Sequence, residues 1–140
     1  MQIKGSKMPP IGFDQLAAGY EFPAVSYELS SSVISRYLEA VGKPGKKSFP
    51  LSGFVPPLAV AAYTMTAAFQ SLLLPPGSIH ASQDLEFFKP VPIGTTINCH
   101  AKVAQKLQRG KLHLLIFELN ALNQNGEKVL SGKATLVLPG

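Results

Sequence analysis

The side chains of this sequence best suited to proton-transfer or metal chemistry are His80, Asp84, Glu86, Cys99, His100 and His113. His80 opens the stretch IHASQDLEFF, where strand alternation sets it on one face with Ser82, Asp84 and Glu86. A histidine next to a carboxylate can work as a general base, so His80 and Asp84 form the candidate catalytic pair. The plainer reading of His80 is a hydrogen-bonded structural histidine at a strand start. Asp84 and Glu86 point the same way and can divide acid and base roles if burial separates their pKa values. An outward, solvated face is the commoner fate of such a pair. Cys99, His100 and His113 match no metal-ligand spacing, and alternation sends Cys99 and His100 to opposite faces, so no metal is expected. As the sole cysteine, Cys99 excludes an internal disulfide and reads as a small buried hydrophobe. There is no Gly-rich phosphate loop and no Gly-x-Ser-x-Gly nucleophile motif.

Binding groups are fewer. Lys43, Lys46 and Lys47 sit in the one long loop, GKPGKKSFPLSGF, and Arg109 and Lys111 sit at a hairpin tip. Thirteen Lys and Arg against eight acids give a net charge of +5. No aromatic residues alternate with these cations, as a single-strand stacking platform needs, so nucleic acid is not an expected partner. The diffuse positive field suits an anionic small molecule such as a nucleotide phosphate, or serves solubility alone.

The elements that must position these groups read clearly. The first 13 residues are an irregular lead-in to a single domain spanning residues 1–140. Gly19 to Leu29 carries Tyr20, Phe22, Val25 and Tyr27 at the loose alternation of a first strand. Ser30 to Ser32 offer N-cap oxygens to a surface helix with Val33, Ile34, Tyr37, Leu38 and Val41 on one side, ended by Gly42. Pro56 and Pro57 open the second helix, which is apolar all round to Leu74 and so is predicted to be buried on all sides. It falls short of the ~20 apolar residues of a bilayer span and contains Thr64, Thr66, Gln70 and Ser71, so a core helix is expected and not a membrane segment. Four strands follow in an expected antiparallel meander: Ile79 to Lys89, Thr95 to Lys106, Leu112 to Leu122 and Glu127 to Leu138, with turns at Pro90–Gly94, Gln108–Gly110 and Asn123–Gly126. The expected class is therefore α+β, a curved antiparallel sheet wrapped around a long central helix, with a generic α+β sandwich as the other architecture that fits the same periodicity. Hydrophobic residues make up 46% and charged residues 15%, a balance that leaves apolar surface for another subunit to cover. The lead-in lacks the apolar core of a signal peptide, and the expected location is cytoplasmic.

These residues resemble a known family. GSIHASQDLEFFKPVPIGTTI resembles the strand and Pro-x-x-x-Gly turn of MaoC-like hydratases, and NQNGEKVLSGKATLVLP resembles their closing hairpin and last strand. FVPPLAVAAYT is similar to the loop-to-helix passage in the N-terminal half of double hot-dog hydratases. The resemblance implies a hot-dog fold and (R)-specific hydration of trans-2-enoyl thioesters, or the reverse dehydration. It implies no cofactor beyond the coenzyme A or acyl carrier that is part of the substrate. Active members hold an Asp and a His in an Asp-x-Asn-Pro-x-His type segment after the first helix. Between Gly42 and Leu58 this chain has no Asp, Glu or His. It therefore looks like the non-catalytic half of a double hot-dog hydratase standing alone, in a homodimer or in a heterodimer with a dyad-bearing hot-dog subunit. In that frame Gly53, Phe54 and Val55, ahead of the second helix, bind the thioester, and Lys43, Lys46, Lys47 and Arg109 meet its phosphates or an acidic carrier. Two other readings stand beside it: an independent enoyl-CoA hydratase or thioesterase using His80 and Asp84, and a non-enzymatic acyl-CoA binding module.

Overall fold

The computed structural model describes residues 11–40 and 53–139. A short 3-10 turn, Phe13–Gln15, leads to strand β1 (Val25–Glu28) and helix α1 (Ser31–Ala40). Helix α2 (Pro57–Phe69) is followed by β2 (Ile79–Phe87), β3 (Thr96–Arg109), β4 (Leu112–Leu122) and β5 (Lys128–Pro139). The five strands form one antiparallel sheet in the order β1-β3-β4-β5-β2, with α2 packed on β3 and β4. The α+β class expected from the sequence is the one observed, but the four-strand meander is not: β2 pairs with β5 at the sheet edge and not with β3, so only β3, β4 and β5 follow one another as neighbours.

Local chemistry explains the elements. Ser30 Oγ accepts the Val33 N–H at 3.3 Å, the N-cap that the serine run anticipates, and α1 buries Val33, Ile34 and Leu38. The β3–β4 turn is tighter than predicted. Both strands run on until Arg109 faces Leu112, which leaves Gly110 and Lys111 as a two-residue turn with Gly110 at φ +60°. Alternation holds along β3 and β4, where Ile97, Cys99, Ala101, Val103, Leu115, Phe117, Leu119 and Ala121 face α2 and are buried.

Two expectations need correction. Helix α2 ends at Phe69, and it is not buried all round: Leu58, Ala62 and Thr66 lie open, Leu58 at 64% exposure. A single five-stranded sheet covers one side of a helix, so among the described residues the all-round apolar pattern leaves one flank bare. The second correction concerns β2. His80 lies opposite Leu136 and Ser82 opposite Thr135, so Ala81 is a β-bulge that shifts the phase of alternation. Among the described residues no helix is long and apolar enough to cross a membrane.

Candidate functional site

The site is built where the lead-in to α2 meets the end of β2. Val55 N–H donates to Val91 O at 2.7 Å and Ile93 N–H to Gly53 O at 2.7 Å, with Phe54 bridged to Pro92. These bonds lay residues 53–55 antiparallel to 91–93 and fix the entry of α2. Phe54, Val55, Pro57 and Val60 form one wall; Phe87, Phe88, Lys89, Pro90, Val91 and Val129 form the other. The cavity between them holds about 310 Å³, at the lower end of the ~300–1,000 Å³ usual for small-ligand sites. Its walls are apolar except for Lys89. Phe87 and Phe88 stand at its mouth, 43% and 46% exposed. Two cations mark the rim: Lys89 Nζ lies 3.5 Å from Glu127 Oε2, and Lys128 Nζ lies 6.0 Å over the Phe88 ring. The Asn123 side-chain amide, which donates to Glu127 Oε1, lowers the Glu127 carboxyl first, and Lys89 lowers it further.

The positive end of α2 points at this region. Its donors are restricted, because Pro56 and Pro57 carry no N–H and those of Ala59 and Val60 both go to Pro56 O. The first turn therefore offers the Leu58 N–H to a carbonyl oxygen.

Deeper in the same half of the core lie three buried polar side chains. Cys99 Sγ donates to Thr64 Oγ1 at 3.7 Å, and Thr64 Oγ1 donates to Val60 O at 2.8 Å. Burial pushes the Cys99 thiol up to about 12, with the Thr64 contact acting weakly the other way. It is therefore an inert thiol, as the sequence suggests. Burial also pushes the Tyr27 phenol up to about 12, helped by Cys99 and Tyr63, and raises the half-buried Tyr63 against the pull of Arg36.

The remaining sequence candidates are dispersed. Residues directly opposite across an antiparallel pair share a face. His80 thus faces the helix side with Gln83, Leu85 and Phe87, while Ser82, Asp84 and Glu86 face outward, because of the bulge at Ala81. His80 and Asp84 are on opposite faces of β2 and do not meet. His80 stands edge-on to Phe69 at 5.7 Å, at the C-terminal end of α2. Nine residues of helix from Val60 to Phe69 put it ~14 Å from the cavity. Arg109 is exposed at the β3–β4 tip, opposite Leu112, and so at the His80 end of the sheet. Of the thioester-binding candidates, Phe54 and Val55 line the cavity and Gly53 anchors its lead-in. Lys43, Lys46 and Lys47 lie outside the described residues.

Asp84 and Glu86 belong to a larger, shallow depression of about 450 Å³ on the outer face, shared with Glu118, Asn120, Lys128, Ser131 and Lys133. Across that face Glu21, Lys102, Glu118, Lys133 and Asp84 occupy successive register positions with alternating sign. Lys102 pairs with Glu118 at 3.7 Å. An open row of mutually neutralised charges offers no shielded wall, so the smaller apolar cavity is the better site. His100 lies beside this row and His113 stacks on Phe13 at 4.1 Å. Among the described residues no three His, Cys, Asp or Glu are placed to share a metal ion.

The sequence reading missed Phe87, Phe88, Lys89 and Val129. A signal was present: adjacent aromatics at a strand end face opposite ways, so the sheet interior cannot take both.

A family model described as "FAS1-like, dehydratase domain region" matches residues 17–131. No curated protein matches the sequence. The R-hydratase PhaJ1 from Pseudomonas aeruginosa is similar in structure, with a TM-score of 0.73 at 18% identity over 91% of this chain and 84% of that one. The MaoC-like dehydratase from Rhodospirillum rubrum gives 0.69 at 22% identity, over 90% and 94%. A chain of the ChsH1–ChsH2 complex from Mycobacterium tuberculosis gives 0.67 at 14% identity, over 87% and 98%. The fold is the hot-dog fold, and the sequence resemblance to MaoC-like hydratases stands.

Proposed function

The chain belongs to the FAS1-like dehydratase-region family, and from that premise we propose that it is an acyl-thioester-binding subunit of a MaoC-like hydratase, completed by a second hot-dog chain that carries the catalytic Asp and His. The carrying observation is the composition of the cavity. Its walls suit an acyl chain, the α2 N-terminus adjoins it, and no Asp, Glu or His is among the residues that line it. Hydration needs a base to take a proton from water at C3 and an acid to deliver one at C2. A cavity that binds the thioester without either group has the form of a half-site. The sequence between Gly42 and Leu58 supplies none of these residue types either.

The place for a partner is the free edge of β2. This strand is exposed at every position except Leu85, its outer edge is unpaired among the described residues, and Ile79 is 60% exposed. Natural proteins rarely leave so long an edge uncovered. A partner strand there, together with the bare flank of α2 at Leu58, would close the mouth of the cavity at Phe87 and Phe88. The ChsH1–ChsH2 neighbour is itself a complex of two different chains, which supports the two-chain reading. Lys89 and Lys128 at the rim suit the phosphates of coenzyme A or of a carrier-bound arm.

The test is hydration of trans-2-butenoyl-CoA by this chain purified alone, with a tag-only control. The expected result is thermal stabilisation by the ligand and no turnover. Turnover above the control overturns the half-site reading, and absence of binding overturns the acyl-thioester reading as a whole.

A further inference from the structure

The outer face of the sheet divides into two unlike halves. Where one face of an antiparallel sheet meets water, its outward positions are ordinarily polar. Here β4 turns Leu112, Leu114 and Ile116 outward, while Leu115 and Phe117 point inward and are buried. Residues directly opposite one another share a face, so Ile79, Val137, Leu114 and Leu107 form an aliphatic row across β2, β5, β4 and β3. Ile79 is 60% exposed and Leu112, one row further on, 49%. The other half carries charge on the same four strands. Asp84, Lys133, Glu118 and Lys102 make one row, and Glu86 and His100 stand at the two ends of the next.

We propose that this face is an interface between two copies of this chain, packed sheet to sheet about a two-fold axis that runs along the strands between β4 and β5. That axis lays β4 over β5 of the second copy and β3 over its β2, so every row meets itself reversed. Leu114 then meets Val137 of the second copy and Leu107 meets Ile79, an aliphatic centre. Glu118 meets Lys133, Lys102 meets Asp84 and His100 meets Glu86. Each lysine of the row thus faces a carboxylate. An axis moved onto β4 would set Glu118 on Glu118 and Lys102 on Lys133, so the alternating signs select the register. Aligned sheets keep their strands within about 30° of each other, which preserves the pairings nearest the axis. From Leu112 to Asn120 four strands span about 19 by 30 Å, roughly 600 Å² of footprint per copy. Two such faces reach the ~1,200 Å² at which specific interfaces begin. The contact uses the face of the sheet and leaves the β2 edge and the cavity free. It is independent of the acyl-thioester reading, and a catalytic subunit paired along the edge would be joined to its equivalent through it.

Sedimentation of the 140-residue chain alone tests this, beside Leu112→Asp, Lys133→Glu and the exchange of Glu118→Lys with Lys133→Glu. The wild type is expected at twice its 15.0 kDa at micromolar concentration, and Leu112→Asp at 15.0 kDa. Lys133→Glu should weaken self-association about tenfold, by facing Glu118 with a like charge. The exchange should restore it. Within each chain the exchange sets like charges side by side along the row, so recovery can come only from across the interface. A wild-type chain that stays at 15.0 kDa overturns the proposal; if Leu112→Asp then unfolds several degrees earlier, a segment of the same chain covers the face. A dimer that Leu112→Asp leaves intact overturns it as well and moves the contact to the β2 edge. An exchange that fails to restore association overturns the register that defines the interface.

Discussion

The two ends of α2 lie against the same sheet and are finished differently. At the C-terminal end, residues 11–22 run across the helix–sheet junction as a strap. Ile11 donates to Ser71 O and accepts from Leu73, while Leu16 and Phe22 sink into a core with Met65, Leu72, Phe117 and Leu136. Lys106 ties the strap down, donating to Leu16 O at 2.8 Å and lying 4.4 Å over the Phe13 ring, which stacks on His113. At the N-terminal end no such strap exists among the described residues. There the junction keeps a cavity, exposed Phe54, Phe87 and Phe88, and a buried Tyr27 hydroxyl to which the described residues supply no hydrogen-bond partner. Among the described residues, one end is covered by the strap and the other is open. Substitutions at the strapped end should act on stability, and those at the open end on binding.

The largest effect belongs to the strap. Phe22→Ala removes a buried ring that packs on Tyr20 and Phe117, and should cost about 3–5 kcal/mol in urea unfolding. The fraction still folded should bind butenoyl-CoA normally. A small loss of stability with a large loss of binding would break the contrast between the ends.

Next is the alkaline limb of stability, which comes from the open end. Cys99 rises from 9.0 and Tyr27 from 10.0, both to about 12. The folded chain thus holds these protons more tightly than the unfolded one. Stability is fully present below pH 9 and falls as pH rises toward 12, by about 4 kcal/mol for Cys99 and about 3 kcal/mol for Tyr27 at full titration. Tyr27→Phe should flatten the part of the limb above pH 10; an unchanged limb would place the titration elsewhere.

A filled cavity sharpens the comparison further. Val60→Phe puts a ring into the 310 Å³ space and should abolish stabilisation by butenoyl-CoA. The overpacking cost should stay near 1–3 kcal/mol. Retained binding would move the acyl site away from the α2 N-terminus.

These contrasts also mark what the sequence could reveal. Helical spacing from Val33 to Leu38 and alternation from Ile97 to Val103 each report a local period, and the elements fall where those periods put them. The bulge at Ala81 is not local. It is set by how β2 registers against β5, and one extra residue turned His80 from the face of Asp84 to the face of Phe87. Gly132 shows the same kind of constraint, since a Cβ there would meet Asp84 O at 2.7 Å and Leu85 Cδ2 at 2.8 Å. Such a close approach of β2 is visible only once the strands are paired. The all-round apolar pattern of α2 was legible, but it counts surface that another chain can cover, so it overstated burial within this one.

The smallest effect tests the comparison most directly. His80 is exposed on the inner face of β2, and its one aromatic contact among the described residues is the edge-on Phe69 ring. Such a contact is worth ~0.5–1.5 kcal/mol when buried, so His80→Ala should cost less than about 1 kcal/mol in this open setting. The substitution lies ~14 Å along α2 from Val60, and butenoyl-CoA affinity should be unchanged. Activity reconstituted with a dyad-bearing partner should be unchanged as well, because Asp84 points away from His80 and the pair cannot relay a proton within the chain. If turnover collapses while the unfolding midpoint holds, the chemistry reaches the C-terminal end of α2. The strapped end would then be part of the site, and the division between a closed half and an open half would fail at that residue.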